Sequence, residues 1–393
     1  MDDLTRRGAL AVLGSALWTW PTSRQRALPA VATGFERPAM PDGDATPWFV
    51  TGFIDHDPQR GYVHCPSVCE KPDGGLVCCW YAGTREGHSD VAVWLAESAR
   101  PETASTEWPA WSAPRPIVTA RSARDDLDRF VRKVGNGVVF TDASGRMWLV
   151  FVTIAVGGWS GSSLNAISSI DGGRSWSPAR RLSLSPFFNI SELVRSSPVR
   201  LASGEIALPS YHECLGKFPE MAWLRPDGDR ITAVKSRMTW GRSFLQPSIV
   251  PTGHHDAIAY LRDHSASHRL TVQRTRDGGR TWSEPVATPL PNDDSSVAAV
   301  RISSGAIVVA FNDSPKGRSS LALAVSPDGI GDWRLLTRLD DEPGMTFDYP
   351  FLIRDGRGIV HLVSSWKKKR VRHVAFNEAW VASRSGEPIG ETR

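Results

Sequence analysis

"SSIDGGRSWSPARRL", residues 168–182, and "RTRDGGRTWSEPVAT", residues 274–288, are two copies of one phrase. Each reads Ser/Thr-x-Asp-x-Gly-x-x-Trp, with Asp171 and Trp176 in the first and Asp277 and Trp282 in the second. A third, degraded copy runs from Ser326 through Asp328 to Trp333, and an echo, "WSAPRPIV" from Trp111, keeps only the tail. The Asp-to-Trp spacing is the same in all three copies. The tryptophans at 111, 176, 282 and 333 are separated by 65, 106 and 51 residues, so the wide middle gap holds a copy that has lost its signature, near "RPDGDRI" at 225–231. A period of about 50–55 residues is that of stacked or radial units.

The phrase has a physical reading. Asp and Ser/Thr side chains cap backbone N–H groups of a turn, glycine supplies positive φ, and tryptophan covers the corner. Its aspartates therefore serve architecture rather than catalysis. Between the copies lie short runs rich in β-branched and aromatic residues: "GLVCCWYAG", "RMWLVFVTIA", "GEIALPSYH", "HDAIAYLRD", "GAIVVAFND" and "GIVHLVSSW". Each opens after a turn signal, and helical periodicity is scarce. Four strands per unit fits a propeller blade. Residues 35 to 385 hold six such units with one or two long loops, seven being the next count. The expected fold is all-β, a six-bladed β-propeller occupying 35–393.

The 393 residues carry a net charge of +4, with a basic cluster in "WKKKRVRH" at 366–373. That excess is too mild to argue for nucleic acid, and the cluster reads as a solvated loop or strand edge. Residues 1–34 read as a removable leader. Arg6 and Arg7 precede a short apolar run, and Ala30-Val31-Ala32 offers a small-x-small cleavage step, the pattern of twin-arginine export to the periplasm or beyond. The run is about 12 residues, short of the roughly 18–20 that span a bilayer, and no other segment approaches a span. Five cysteines, Cys65, Cys69, Cys78, Cys79 and Cys214, contain no C-x-x-C pair, so neither a complete disulfide framework nor a zinc site is expected. A turn at Asp73-Gly74 would set Cys69 opposite Cys78. The two would then either bridge in an oxidising compartment or face each other as small buried thiols.

These phrases resemble the Asp-box repeats of the sialidase superfamily of six-bladed propellers, most closely the bacterial branch of predicted neuraminidases with BNR repeats. The likeness extends over roughly 45–380 and is carried by "HCPSVCEKPDGGLVCCWYAGTREGHSDVAVWLAES", "LPSYHE", "LQPSIV", "YLRD" and "FDYPFLIRDGRGIVHLVSSW". The resemblance implies three arginines gripping a substrate carboxylate, a Tyr nucleophile activated by a Glu, and an acidic acid/base. Arginine forks match a carboxylate bidentately, and a neutral phenol avoids repulsion from an anionic sugar. By position, Arg262 in "YLRD" and Arg318 in "RSSLALAVSPD" match two of the arginines. His64-Cys65-Pro66 stands where an Arg-Ile-Pro step is implied, and Gln246 stands near the activating Glu. Phe347 falls on the Tyr position, with Tyr349 two residues later, and Glu86 and Asp90 in "TREGHSD" compete for the acid/base role.

Tyr211, His212 and Glu213 end a strand-like run and could bind substrate or move a proton. His64 could direct a water or occupy the third cationic position, titrating near 6.5, the ordinary imidazole value. His264 and His268 sit four residues apart in a loop and strand, which does not make a metal site. "NDD" at 292–294 and "FND" at 311–313 could accept sugar hydroxyls. The expected activity is a sialidase-like exo-glycosidase for an acidic sugar, with no cofactor and no metal. A uronate lyase and a glycan-binding propeller without turnover are the alternatives.

Overall fold

A computed structural model describes residues 33–37, 45–54, 61–100, 108–185, 189–384 and 386–390; the leader arginines and the Ala-Val-Ala step lie outside them. Six antiparallel sheets follow one another along the chain and form the six blades. Blade 1 runs Tyr62–Glu70, Leu76–Gly83, Ala92–Ser98, Arg115–Thr119. Blade 2 runs Lys133–Thr141, Met147–Ile154, Ser162–Ser169, Arg180–Arg181. Blade 3 begins with a split inner strand, Leu193–Val194 and Val199–Arg200, followed by Ile206–His212, Phe218–Asp227 and Arg230–Arg237. Blade 4 runs Phe244–Pro251, Ala257–Asp263, Arg269–Thr275, Val286–Pro291. Blade 5 runs Ala298–Arg301, Ile307–Phe311, Ser320–Ser326, Arg334–Asp341, with Glu387–Pro388 added at its outer edge. Blade 6 runs Phe347–Arg354, Val360–Trp366, Arg370–Phe376. Its outermost strand is Phe49–Ile54 from the other end of the chain, paired from Phe49↔Phe376 to Ile54↔Val371, which closes the ring.

The six apolar runs in the sequence are the second strands of the six blades. Leu76–Gly83 and Met147–Ile154 are buried at every position, as are the second strands of blades 3, 4 and 5. Each blade packs on neighbours through both faces. Its second strand therefore loses the in/out alternation of a half-solvated strand and becomes a continuous apolar run. Burial of one such Val, Leu or Phe side chain contributes about 1.5–3 kcal/mol. Trp80, Trp148, Phe151, Leu208, Tyr260 and Phe311 form the inter-blade core. Among the described residues no helix is long and apolar enough to cross a membrane.

The repeated phrase lies between the third and fourth strands of blades 2, 4 and 5. Asp171 accepts from the Ser175 amide at 2.9 Å and from the Ser175 hydroxyl at 2.6 Å, and Trp176 Nε1 donates to Gly173 O at 3.0 Å. Asp277 does the same with Thr281, at 2.9 and 2.6 Å. Asp328 accepts from the Ile330 and Gly331 amides. Trp111 and the "RPDGDRI" turn, where Asp227 pairs with Arg230, occupy the same corner of blades 1 and 3.

The cysteine expectation is corrected. Val68 pairs with Cys78 and Cys69 with Val77. Cys69 and Cys78 are thus one register step apart and point to opposite faces of blade 1, and all five cysteines are free thiols.

Candidate active site

Antiparallel blades place the entries to the inner strands and the turns between second and third strands on one rim of the ring, opposite the Asp-turn-Trp corners. On that rim three inner strands share a device. At His64-Cys65-Pro66-Ser67, Leu245-Gln246-Pro247-Ser248 and Asp348-Tyr349-Pro350-Phe351 the pairing with the second strand skips. The residue before each proline has positive φ: 49° at Cys65, 49° at Gln246 and 53° at Tyr349. Proline ordinarily pushes its predecessor into extended backbone, and non-glycine residues seldom adopt positive φ. Such conformations cost on the order of 1–3 kcal/mol each and persist where the surroundings over-determine them. A bulge bends its strand and re-aims a side chain. Here it turns Gln246 and Tyr349 toward the axis, and a register shift between Gly135 and Gly137 does the same for Asn136 in blade 2.

The re-aimed groups join a polar chain that crosses five blades. Asn136 Nδ2 and Gln246 Nε2 each donate to the Tyr211 hydroxyl at 3.2 Å. Arg262 donates to Gln246 Oε1 at 3.3 Å and, through Nε, to Asp294 Oδ1 at 2.6 Å. Arg318 donates to the Asp294 carbonyl at 2.7 Å and to Asp348 Oδ1 at 3.1 Å. Burial opposes the charge on Arg262 and on Arg318, but Asp294 and Asp348 respectively outweigh it, so both guanidinium pKa values are raised. Burial likewise opposes ionisation of Asp294, yet Arg262 and His264 hold its pKa below the ordinary value. For Asp348 burial wins over Arg318, and its pKa is raised.

Arg195 forms the floor. The break in the inner strand of blade 3 frees it from the ladder, and its guanidinium crosses the channel to Pro66 O at 3.0 Å, Pro350 O at 3.1 Å and Tyr349 O. It also lies 5.2 Å from the centroid of the Tyr349 ring and 5.6 Å from that of Phe351. Arg318 approaches the Tyr349 ring to 5.6 Å. Burial, then Cys65, raises the phenol pKa against the pull of Arg262 and Arg318. Phe347 is buried in the blade, its carbonyl accepting from Asn312. Tyr349 is therefore the aromatic side chain of this strand that faces the site.

His64 packs its ring edge-on against Tyr349 at 4.4 Å and lies beside Tyr62 and Tyr81. Burial, then the charges of Lys368, Arg318 and Arg195, hold its pKa well below the ordinary value. Burial and these cations therefore favour the neutral imidazole, which argues against a role for His64 as a titrating third cation. Glu86 reaches the same wall, accepting from Tyr62 at 2.7 Å and Tyr81 at 3.4 Å. Asp90 does not. It accepts from the Thr84 amide at 3.0 Å, from the Thr84 hydroxyl and from His88 at 2.7 Å, tying its own loop.

The remaining candidates separate. Tyr211 is a buried link of the polar chain. The Glu213 carboxyl lies toward Arg262, its pKa raised by burial against that charge. His212 stacks on Phe218 at 4.6 Å and accepts from the Leu215 amide, which commits it to its own loop. His264 faces Asp294 and His268 faces Asp293. Of "NDD" and "FND", Asp294 enters the site, while Asn292 caps Ser295, Asn312 braces Phe347 and Asp313 pairs with Arg338.

Arg195, Asn136, Tyr62, Tyr81 and Lys368 escaped the sequence reading. A signal was present for the framework: the recurring proline at the third position of "HCPS", "LQPS" and "DYPF" marks the strained strand entries. "WKKKRVRH", expected to be a solvated edge, instead places Lys368 beside His64 and pairs Arg372 with Asp340.

The sequence matches the family described as BNR repeat-like domain over residues 74–362. No curated protein matches the chain. Among solved structures, a Hadza microbial sialidase superposes with a TM-score of 0.66 at 15% identity, over 83% of this chain and 68% of that one. A protein of unknown function from Dyadobacter fermentans gives 0.63 at 13%, over 87% and 98%. The leech intramolecular trans-sialidase, solved with 2,7-anhydro-Neu5Ac, gives 0.62 at 13%, over 83% and 69%. With six blades, repeated Asp-turn-Trp corners and a family match over most of its length, this chain belongs to the BNR repeat-like domain family and shares the propeller fold of these sialidase structures.

Proposed function

We propose that this protein is a sialidase-like exo-glycosidase acting on a carboxylate-bearing sugar. The observation that carries this reading is the convergence of Arg262 and Arg318 on the Tyr349 phenol, with neutral His64 against the same ring. The two guanidinium groups, held in place by Asp294 and Asp348, would orient the substrate carboxylate. The Tyr349 oxygen would attack the anomeric carbon as the glycosidic C–O bond breaks. Glu86, held by Tyr62 and Tyr81, would deliver a proton to the leaving oxygen. Water would then hydrolyse the aryl glycoside, with Glu86 taking up its proton. Gln246 occupies the region where the resemblance implies an activating Glu, so His64 is the base assigned to the phenol.

The same neutral imidazole favours a second reading, a uronate lyase. There His64 would remove the proton α to a carboxylate whose charge the arginines neutralise. One experiment separates the readings. The purified protein is incubated with sialosides and with uronide oligosaccharides, and products are followed by mass and by ultraviolet absorbance. A free acidic sugar carrying one added water supports hydrolysis, and an unsaturated, absorbing product supports the lyase. Binding without either product would leave a glycan-binding propeller. The paired Arg6-Arg7 leader supports export by the twin-arginine route. A reporter fused to residues 1–34 should leave the cytoplasm, and should be retained when both arginines are changed to lysine.

A further inference from the structure

Trp366–Arg370 is a tight hairpin between the second and third strands of blade 6. The Lys369 amide donates to Trp366 O at 2.9 Å, and the two central residues, Lys367 and Lys368, have φ of 50° and 56°. Such turns favour Asn-Gly, because both positions need positive φ. This one holds lysines instead. It is fastened at two points: Lys367 N donates to Thr346 O, and Lys368 O accepts from Val63 N, each at 2.8 Å. The second bond seats the turn on the inner strand of blade 1, one residue before His64.

The turn's lysines have different fates. Lys367 pairs with Glu342 at 2.6 Å, and Lys369 is exposed. The Lys368 ammonium lies 6.0 Å from the Tyr62 ring centroid, on the wall that carries His64 and Glu86, and has no carboxylate partner among the described residues. Its charge is felt at His64 and at Asp348.

The cations named above, other than Lys368, are already balanced or out of reach. Arg262 faces Asp294 and Glu213, and Arg318 faces Asp348. Arg195 is sealed in the floor at 2% exposure. Lys133 faces Glu86. A neutralised arginine still offers directed N–H groups, but it adds little net field. We propose that Lys368 supplies the charge by which the site selects an anionic substrate over its neutral analogue, while Arg262 and Arg318 supply the geometry. The assignment rests on the acid-sugar reading above and names the residue that enforces it.

The test is calorimetric binding of sialic acid and glucuronic acid, each against its methyl ester, at low and moderate salt. Lys368→Asn suits the turn's positive φ and should melt with the wild type. It should cut the preference for acid over ester about tenfold and flatten the salt dependence, and Lys368→Arg should keep both. Arg318→Lys should weaken acid binding while retaining the salt dependence. If Lys368→Asn keeps the wild-type acid-to-ester ratio while Arg318→Lys abolishes it, the assignment falls and the acid-sugar reading stands. If the wild type binds neither acid better than its ester, both fall.

Discussion

The two rims of the propeller are built on opposite plans. On the rim of the Asp-turn-Trp corners, one local solution is repeated: a carboxylate closes a turn over amides two to four residues on in the same corner. On the other rim three blades share a bulged strand entry, but the polar side chains it presents differ from blade to blade. Gln246 reaches Tyr211, Arg262 reaches Asp294 and Arg195 reaches three carbonyls on blades 1 and 6, so the polar groups are satisfied by their neighbours. Repetition marks what each blade needs to fold. Departure from repetition marks where the blades act together, and strained backbone collects there.

The sharpest way to break this contrast is at Arg195. Arg195→Met leaves the carbonyls of Pro66, Tyr349 and Pro350 without their donor, and should destabilise the fold by on the order of 3–5 kcal/mol in urea unfolding. A loss no larger than that from a corner mutation would mean the rims are energetically alike.

Glu192, buried beneath blade 3 with Lys235 at 4.0 Å, sharpens the contrast through pH. Burial, against the pull of Lys235, pushes its carboxyl up to about 7. A raised folded pKa contributes stability below the unfolded value near 4.3 that is lost as pH rises through about 7. Glu192→Gln should therefore be more stable than the wild type by on the order of 3–4 kcal/mol at pH 8, and by only about 1 kcal/mol at pH 5. Paired denaturation curves at the two pH values decide this.

A smaller effect is expected at the corners. Asp277→Ala removes a turn cap and should lower stability by about 1–2 kcal/mol with acid-sugar affinity unchanged. A loss of affinity at constant melting temperature would refute the architectural role. The smallest expected effect is a null. Because His64 is held neutral far below 6.5, His64→Gln should leave the pH profile of acid-sugar binding between 5.5 and 8 unaltered in shape. An inflection near 6.5 that vanishes in the variant would restore His64 as a switching cation.

The fold was legible because its signals are local. Each second strand is an apolar run, since both its faces meet neighbouring blades, and each corner spells out its own hydrogen bonds. Arg262 and Arg318 were legible through the family resemblance, which sets its arginines at given distances from the corners. Tyr349 was reachable only as an alternative to Phe347, because a bulge breaks the strand's in/out count at that step. Arg195 could not be read, since its partners are backbone carbonyls on strands far along the chain, which no side-chain pattern announces. Lys368 was hidden in a basic run whose members differ only in which way the turn points them. The cysteine pairing failed on a single step of register.

The closing strand sets a schedule. The four main strands of each of blades 1 to 5 come from consecutive stretches of chain, but blade 6 takes Phe49–Ile54, among the first parts of the described chain to leave the ribosome, as the partner for residues 371–376, among the last. Joining ends several hundred residues apart costs about 5 kcal/mol of chain entropy in a flexible-loop estimate, before any contact rewards it. While the chain is being made, this strand waits as an unpaired edge, open to wrong partners. The site spans the seam that closes last, because Cys65 N in blade 1 meets Ser365 Oγ in blade 6. A nascent chain can hold five finished blades and still have no site. Activity should then appear as a single late event in refolding rather than growing blade by blade.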